Sequence, residues 1–105
     1  MLRSLACVLA AACSTAALGA EPQPARRAEL LSLVRQDCGS CHGMTMKGGL
    51  GPSLEPDALA GKDPETLSFV ILQGRHGTPM PPWRDYLTES EVHWIVEQLK
   101  KGLPR

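Results

Sequence analysis

Aromatic residues are scarce. Trp83, Trp94, Tyr86 and Phe69 are the whole set, 4% of 105 residues. Large rings contribute heavily to buried area in most cores, so this chain has little of its own with which to fill a centre. Net charge is absent too, 11 Lys and Arg balancing 11 Asp and Glu. That balance argues against a nucleic-acid partner, which selects for a basic stripe or patch. No apolar run reaches the ~20 residues of a spanning helix, so no membrane span is expected. The length allows one domain. In excess are Gly and Pro, 10 and 9 residues respectively, which predict a large share of loop. A short, loop-rich chain with few rings needs something besides side chains at its middle.

Residues 1–20 have the order of a secretory signal: Arg3, an apolar run from Leu5 to Ala12, then small residues ending Ala17-Leu18-Gly19-Ala20. Removal of that segment would leave one domain over residues 21–105, with 10 basic and 11 acidic residues. Arg26-Arg27 follows the apolar run instead of preceding it, unlike a twin-arginine signal. Lipid attachment at Cys13 is the weaker expectation, because the nearest leucine, Leu9, lies four residues before it and a lipid box places one three before. With Cys7 and Cys13 in the signal, only Cys38 and Cys41 remain, too few for a disulfide framework.

Those two stand in Cys38-Gly39-Ser40-Cys41-His42, the C-x-x-C-H attachment sequence of a c-type haem. Two sulfurs three residues apart can add to the two vinyl groups along one porphyrin edge, and the adjacent imidazole then falls beneath the iron as proximal ligand. Three rivals are weaker. A Cys38–Cys41 disulfide would close a very short loop and stabilise little. A thioredoxin-like redox pair belongs beside a βαβ pattern, and no strand-like alternation flanks this one. A zinc site needs a further strong ligand cluster, whereas His76 and His93 are isolated.

With this motif early in the exported chain, the sequence resembles the small single-haem class I cytochromes c over roughly Leu30 to Leu103. The resemblance implies an all-α fold of three to four short helices, with long loops wrapped around one covalent haem c. It also implies periplasmic residence and a monomer. Gly51-Pro52-Ser53-Leu54 resembles the family's G-P-x-L segment, which implies that the Pro52 carbonyl accepts from the Nδ1–H of His42 and orients that ring.

Periodicity supports the helices independently. Leu30, Leu31 and Val34 predict an amphipathic helix over Arg26 to Asp37 that delivers the cysteines, with Leu33 on its flank. Gly43 to Gly61 shows no periodicity and is expected as a long loop. Asp63-Pro64-Glu65 opens a helix with an Asp N-cap and Pro in its first turn; Leu67, Val70 and Ile71 form its apolar face, and Gly74 stops it. Thr88-Glu89-Ser90-Glu91 is a capping box for a last helix with an inward stripe of Val92, Ile95, Val96 and Leu99. Where the family carries an aromatic near the end of that helix, this chain has Gln98, leaving Trp94 as the substitute contact.

For the sixth iron ligand the chain offers Met44, Met46, Met80, His76 and His93. Met44 and Met46 follow His42 too closely to cross to the other haem face and are expected to pack. His93 lies one turn from Glu97, off the inward stripe, and is expected in solvent. Met80 sits in Gly77-Thr78-Pro79-Met80-Pro81-Pro82-Trp83, where prolines on both sides restrict the backbone, and the segment resembles the family's G-x-x-M-P ligand loop. Met80 is therefore the expected distal ligand and His76 the runner-up. Trp83 is expected at the haem edge. His/Met coordination fills both axial positions and suits single-electron transfer rather than catalysis.

The blocks Cys38–Pro52 and Gly77–Trp83 are most similar to the small periplasmic cytochromes c that accompany the haem c/haem d1 nitrite reductase of denitrifying bacteria. That resemblance implies electron donation to nitrite reductase, with an accessory role in haem d1 formation or nitrite reductase maturation as the alternative. Lys47, Lys62, Arg75 and Arg84 fall in the loops expected around the haem, where they would meet an acidic partner surface.

Overall fold

The computed structural model describes residues 10–12 and 21–104. Most of the signal-like segment, with Cys7 and Cys13, lies outside the described residues. The described chain is helical, with no strand among its residues. Helix α1 (Pro24–Leu33) passes without a break into a π-helical turn, Val34–Cys38, and then into α2 (Gly39–His42). Next come α3 (Pro56–Leu59), α4 (Pro64–Gln73) and α5 (Glu89–Lys101). With α1, the π turn and α2 counted as one rod, these are four helices, in keeping with the all-α expectation.

The first helix differs from its sequence-based outline. It begins at Pro24, whose fixed φ and missing N–H suit a helix's first turn, and it runs on through the C-x-x-C-H motif to His42. The π turn fits an extra residue into one turn of helix. Its residues Val34–Cys38 carry no propensity or capping signal for that, so it is set by packing: Leu30 and Val34 are both buried, and α1 and α5 are in contact. The loop expected over residues 43–61 is also corrected, because Pro56–Leu59 form one helical turn that buries Leu59. One buried residue in four is too short a run to show a period.

The two later helices follow their signals. Asp63 caps α4, accepting from Thr66 N at 2.9 Å and from Thr66 Oγ1 at 3.0 Å. Gly74, at φ 68°, ends it. The capping box of α5 closes in both directions, Glu91 N donating to Thr88 Oγ1 at 3.1 Å and Thr88 N to Glu91 Oε1 at 3.0 Å. Val92, Ile95, Val96 and Leu99 are buried as expected, and Trp94 joins them. His93 is not simply solvated, since its Nε2 lies 3.5 Å from Glu65 Oε2 on α4. Phe69 and Tyr86 are exposed. Among the described residues the core is therefore ten mostly aliphatic residues centred on α1 and α5, small for a domain of this length.

Arg26 ties the start of α1 to that core. Its Nε donates to Glu91 Oε2 and its Nη1 to Glu29 Oε2 at 2.9 Å. The Arg26 guanidinium holds the Glu91 carboxyl below the ordinary glutamate range, outweighing partial desolvation, with the Thr88 N–H adding to the effect. A carboxyl whose value is lower in the folded than in the unfolded state stabilises the fold above its unfolded value, and this contribution fades as pH falls through the depressed one. Glu91→Ala removes the side-chain half of the capping box, the acceptor for Thr88 N, together with the ion pair to Arg26. We expect it to cost about 1 kcal/mol, a lowering of the thermal midpoint of about 4–8 °C at pH 7. Thermal melts of the two holoproteins at pH 7 and pH 3 check this, the gap narrowing at the lower pH.

Candidate haem site

Cys38 and Cys41 are three residues apart on one continuous rod, a spacing that puts both side chains on the same face. Both are free thiols and half-buried. Burial, helped by the neighbouring Asp37 carboxylate, pushes the Cys38 thiol up to about 11. At neutral pH Cys38 is thus protonated, the reverse of the acidic thiol that drives disulfide exchange. Among the described residues no three His, Cys, Asp or Glu side chains converge as a metal cage.

His42 ends the rod, and the following loop folds back over it. Gly48 N donates to His42 O and Gly51 N to Cys41 O, both at 2.8 Å. This brings the Pro52 carbonyl to 2.7 Å from His42 Nδ1. With Nδ1–H donating to a carbonyl, Nε2 is left as the ring's free lone pair. Gly51 permits the approach, because a Cβ there would lie 2.8 Å from both Cε1 and Nδ1 of the imidazole. Cys38, Cys41, His42 and Pro52 are thereby gathered on one end of the rod.

Met80 is partly buried on the loop after α4. The loop is fastened at several points. Arg75 N donates to Met80 O at 3.2 Å, Trp83 N to Ile71 O at 3.1 Å and Arg84 N to Leu72 O at 3.3 Å. Thr78 Oγ1 accepts from Met80 N at 3.3 Å. The loop passes so close to Gly74 that a Cβ there would meet Pro81 C and Pro82 N at 2.6 Å. The same glycine thus ends α4 and makes room for the methionine segment. His76 is exposed in the turn before it. Met44 is exposed, whereas Met46 is buried. Trp83 packs partly buried against the core, edge-on to Tyr86.

These residues fit a haem. Two thiols on one face, an imidazole with Nδ1 occupied and Nε2 free, and a thioether on a fastened loop are the donors such a group takes. Leu67, Ile71 and Trp83 flank the core only partly buried, offering apolar surface to a macrocycle. Two open clefts lie elsewhere. One of about 360 Å³ runs between α4 and α5 past Phe69 and His93; the other, of about 590 Å³, runs past Met44, Leu54 and Leu103. Cys38, Cys41, His42 and Met80 line neither.

Fold and donor set define a small c-type cytochrome, an electron-transfer protein carrying covalent haem c. Comparison with known proteins agrees. Residues 25–98 match the family model of cytochrome c oxidase, cbb3-type, subunit III. Cytochrome c55X of Paracoccus denitrificans is 54% identical over 97 residues, covering 92% of this chain and 93% of that protein. Cytochrome c55X of Pseudomonas aeruginosa is 48% identical over 99 residues, 93% of this chain and 83% of its own. The solved structure of the c-type cytochrome NirC superposes with a TM-score of 0.76 at 49% identity, covering 78% of this chain and 96% of that one. The chain belongs to the cytochrome c55X family, whose setting is denitrification.

A further relative is of a different kind. The dihydro-heme d1 dehydrogenase of Pseudomonas aeruginosa is 38% identical over 74 residues, which make up 70% of this chain but 15% of that enzyme.

The contacts of Met46 and Ser53 beside the Pro52 segment are not legible in the sequence. Met46 was expected only to pack, and Ser53 carried no expectation. Their backbone and hydroxyl contacts are made within the loop, where no periodicity reports them.

Proposed function

We propose that the chain is a periplasmic single-electron carrier in which Cys38 and Cys41 attach the haem, His42 and Met80 ligate its iron, and Pro52 orients His42. Its electrons go to nitrite reductase. The 2.7 Å approach of Pro52 O to His42 Nδ1 carries the ligand reading, because it orients the ring and directs Nε2 outward as a donor. When bound, the haem supplies a one-electron iron couple. The chain's residues do the rest. His42 Nε2 and the Met80 thioether would hold the iron, which would leave no coordination site for a substrate. The thioether raises the reduction potential relative to a second imidazole. The hydrogen bonds along 75–84 hold Met80 through a change of iron charge, so little rearranges on transfer.

Lys47, Lys62, Arg75 and Arg84 are exposed, and in this reading their loops border the haem and give the docking surface a positive rim. Complementary charge raises encounter rate more than affinity. Stopped-flow mixing of the reduced protein with oxidised nitrite reductase tests the assignment. Its haem should oxidise as the reductase haem reduces, more slowly as salt rises past the ~10 Å screening length of 0.1 M. Arg75→Glu with Arg84→Glu should slow the transfer about tenfold at low salt without changing the visible spectrum, a loss typical of reversing steering charges. A rate indifferent to salt and to charge reversal would mean docking through apolar residues such as Leu50, Pro82 and Trp83.

The dehydrogenase relative favours a second reading, in which the carrier serves haem d1 formation. A dehydrogenation releases two electrons, and a one-electron carrier accepts them singly. Reduction of the oxidised protein by the dihydro-haem d1 dehydrogenase with its substrate, but no transfer to nitrite reductase, would favour that reading.

A further inference from the structure

We propose that Met46 and Ser53 are positioning residues for His42, holding the Pro52 carbonyl against the imidazole and so setting the reduction potential. This rests on the reading of His42 as proximal ligand. Pro52 is held from both sides in the chain. Before it, Gly51 N is bonded to Cys41 O at 2.8 Å. After it, two donors converge on one carbonyl, Leu54 N on Met46 O at 2.9 Å and Ser53 Oγ on Met46 O at 3.1 Å. Met46 O is therefore the anchor for the C-terminal side of the Pro52 segment.

That anchor is held in an unusual way. Met46, at φ 62°, is the non-glycine residue with a left-handed backbone among the described residues. An unbranched side chain gains nothing from that conformation, which is unfavourable for an L-residue. Burial compensates: Met46 is 5% exposed, and its side chain lies over Gly39, inside the C-x-x-C-H motif. A Cβ on Gly39 would come within 3.2 Å of Met46 Cε. The turn is closed by Met46 N donating to Gly43 O at 2.9 Å. The side chain thus grips the rod at Gly39 while the carbonyl grips the segment carrying Pro52. One residue sets the distance between the two partners of the His42 hydrogen bond.

The consequence is electronic. A firm Nδ1–H to carbonyl bond makes the imidazole a stronger donor, which favours the oxidised iron and lowers the potential. Loosening the seat should do the reverse.

The test uses ring-¹⁵N-histidine-labelled holoprotein, as wild type, Ser53→Ala, Met46→Ala and Met46→Leu. In the oxidised wild type, His42 nitrogens shifted by the iron's unpaired electron establish the ligand reading on its own; unshifted ones would overturn both that reading and this proposal. Given the shift, Ser53→Ala and Met46→Ala should speed hydrogen exchange of the His42 Nδ1 proton at least tenfold. Both should also raise the midpoint potential, by up to a tenfold change in redox equilibrium, or 59 mV for one electron. Met46→Leu, which refills the space over Gly39, should restore most of both. Unchanged exchange and potential in folded variants would overturn the proposal with the ligand reading intact. Ser53→Ala removes a single hydroxyl, so it carries the test if Met46→Ala does not fold.

Discussion

Met80→Ala should yield a protein that keeps its haem, binds carbon monoxide and has a much lower reduction potential. Removing the thioether leaves one axial position open or taken by water, and an open position on reduced iron admits a small diatomic ligand. The thioether favours reduced iron, so its loss should lower the midpoint by on the order of 100 mV, at 59 mV per tenfold change for one electron. The fold should largely survive. The loop is held through backbone atoms, Arg75 N to Met80 O and Trp83 N to Ile71 O, and these do not depend on the side chain at position 80. Spectra with and without carbon monoxide and a redox titration decide it. A variant matching the wild type in both would move the ligand elsewhere, and His76→Ala would then be compared in the same two measurements.

How far this site can be read without coordinates follows from the range of each interaction. The attachment motif is local: five consecutive residues state the chemistry, and a helix puts them on one face. The ends of α4 and α5 are equally local, since Asp63 reaches Thr66 and Thr88 reaches Glu91, each within one turn. The fastening of Pro52 is not. It depends on Met46 adopting a left-handed backbone that its residue type does not favour, and on a side chain meeting Gly39 seven positions earlier. The π turn at Val34–Cys38 is hidden for a similar reason, because it answers to packing between α1 and α5 rather than to its own residues. Arg26 and Glu91, 65 residues apart, could be paired only once those two helices were known to touch. Trp94 is buried although it falls outside the four-residue apolar stripe of α5, because a helix packed against α1, α3 and α4 buries more than one narrow face.

Cys38→Ala together with Cys41→Ala should release the haem from the polypeptide and cost most of the folded protein. The first half is chemical: with neither sulfur present no thioether can form, and acid–organic extraction should carry the haem into the organic phase, where the wild type retains it in the protein. The second half follows from the core. Ten buried apolar residues bury too little to offset the backbone entropy of a domain this long. A group bound only by the folded state supplies the difference, by RT ln(1 + [L]/Kd) when it is free to leave. Covalent attachment makes that stabilisation independent of free haem concentration. The double variant should therefore be stabilised by added haem in a concentration-dependent way, its thermal midpoint rising with each increment, while that of the wild type stays constant. The single variants should lie between, each still holding the haem by one thioether. Cys38→Ala should be the more damaging, because Cys38 packs against the core cluster and its removal leaves space there. Equal losses from the two single variants would mean that attachment, not packing, sets the cost. Haem retained by the double variant through acid–organic extraction would place the covalent link on other residues and remove the basis of the site.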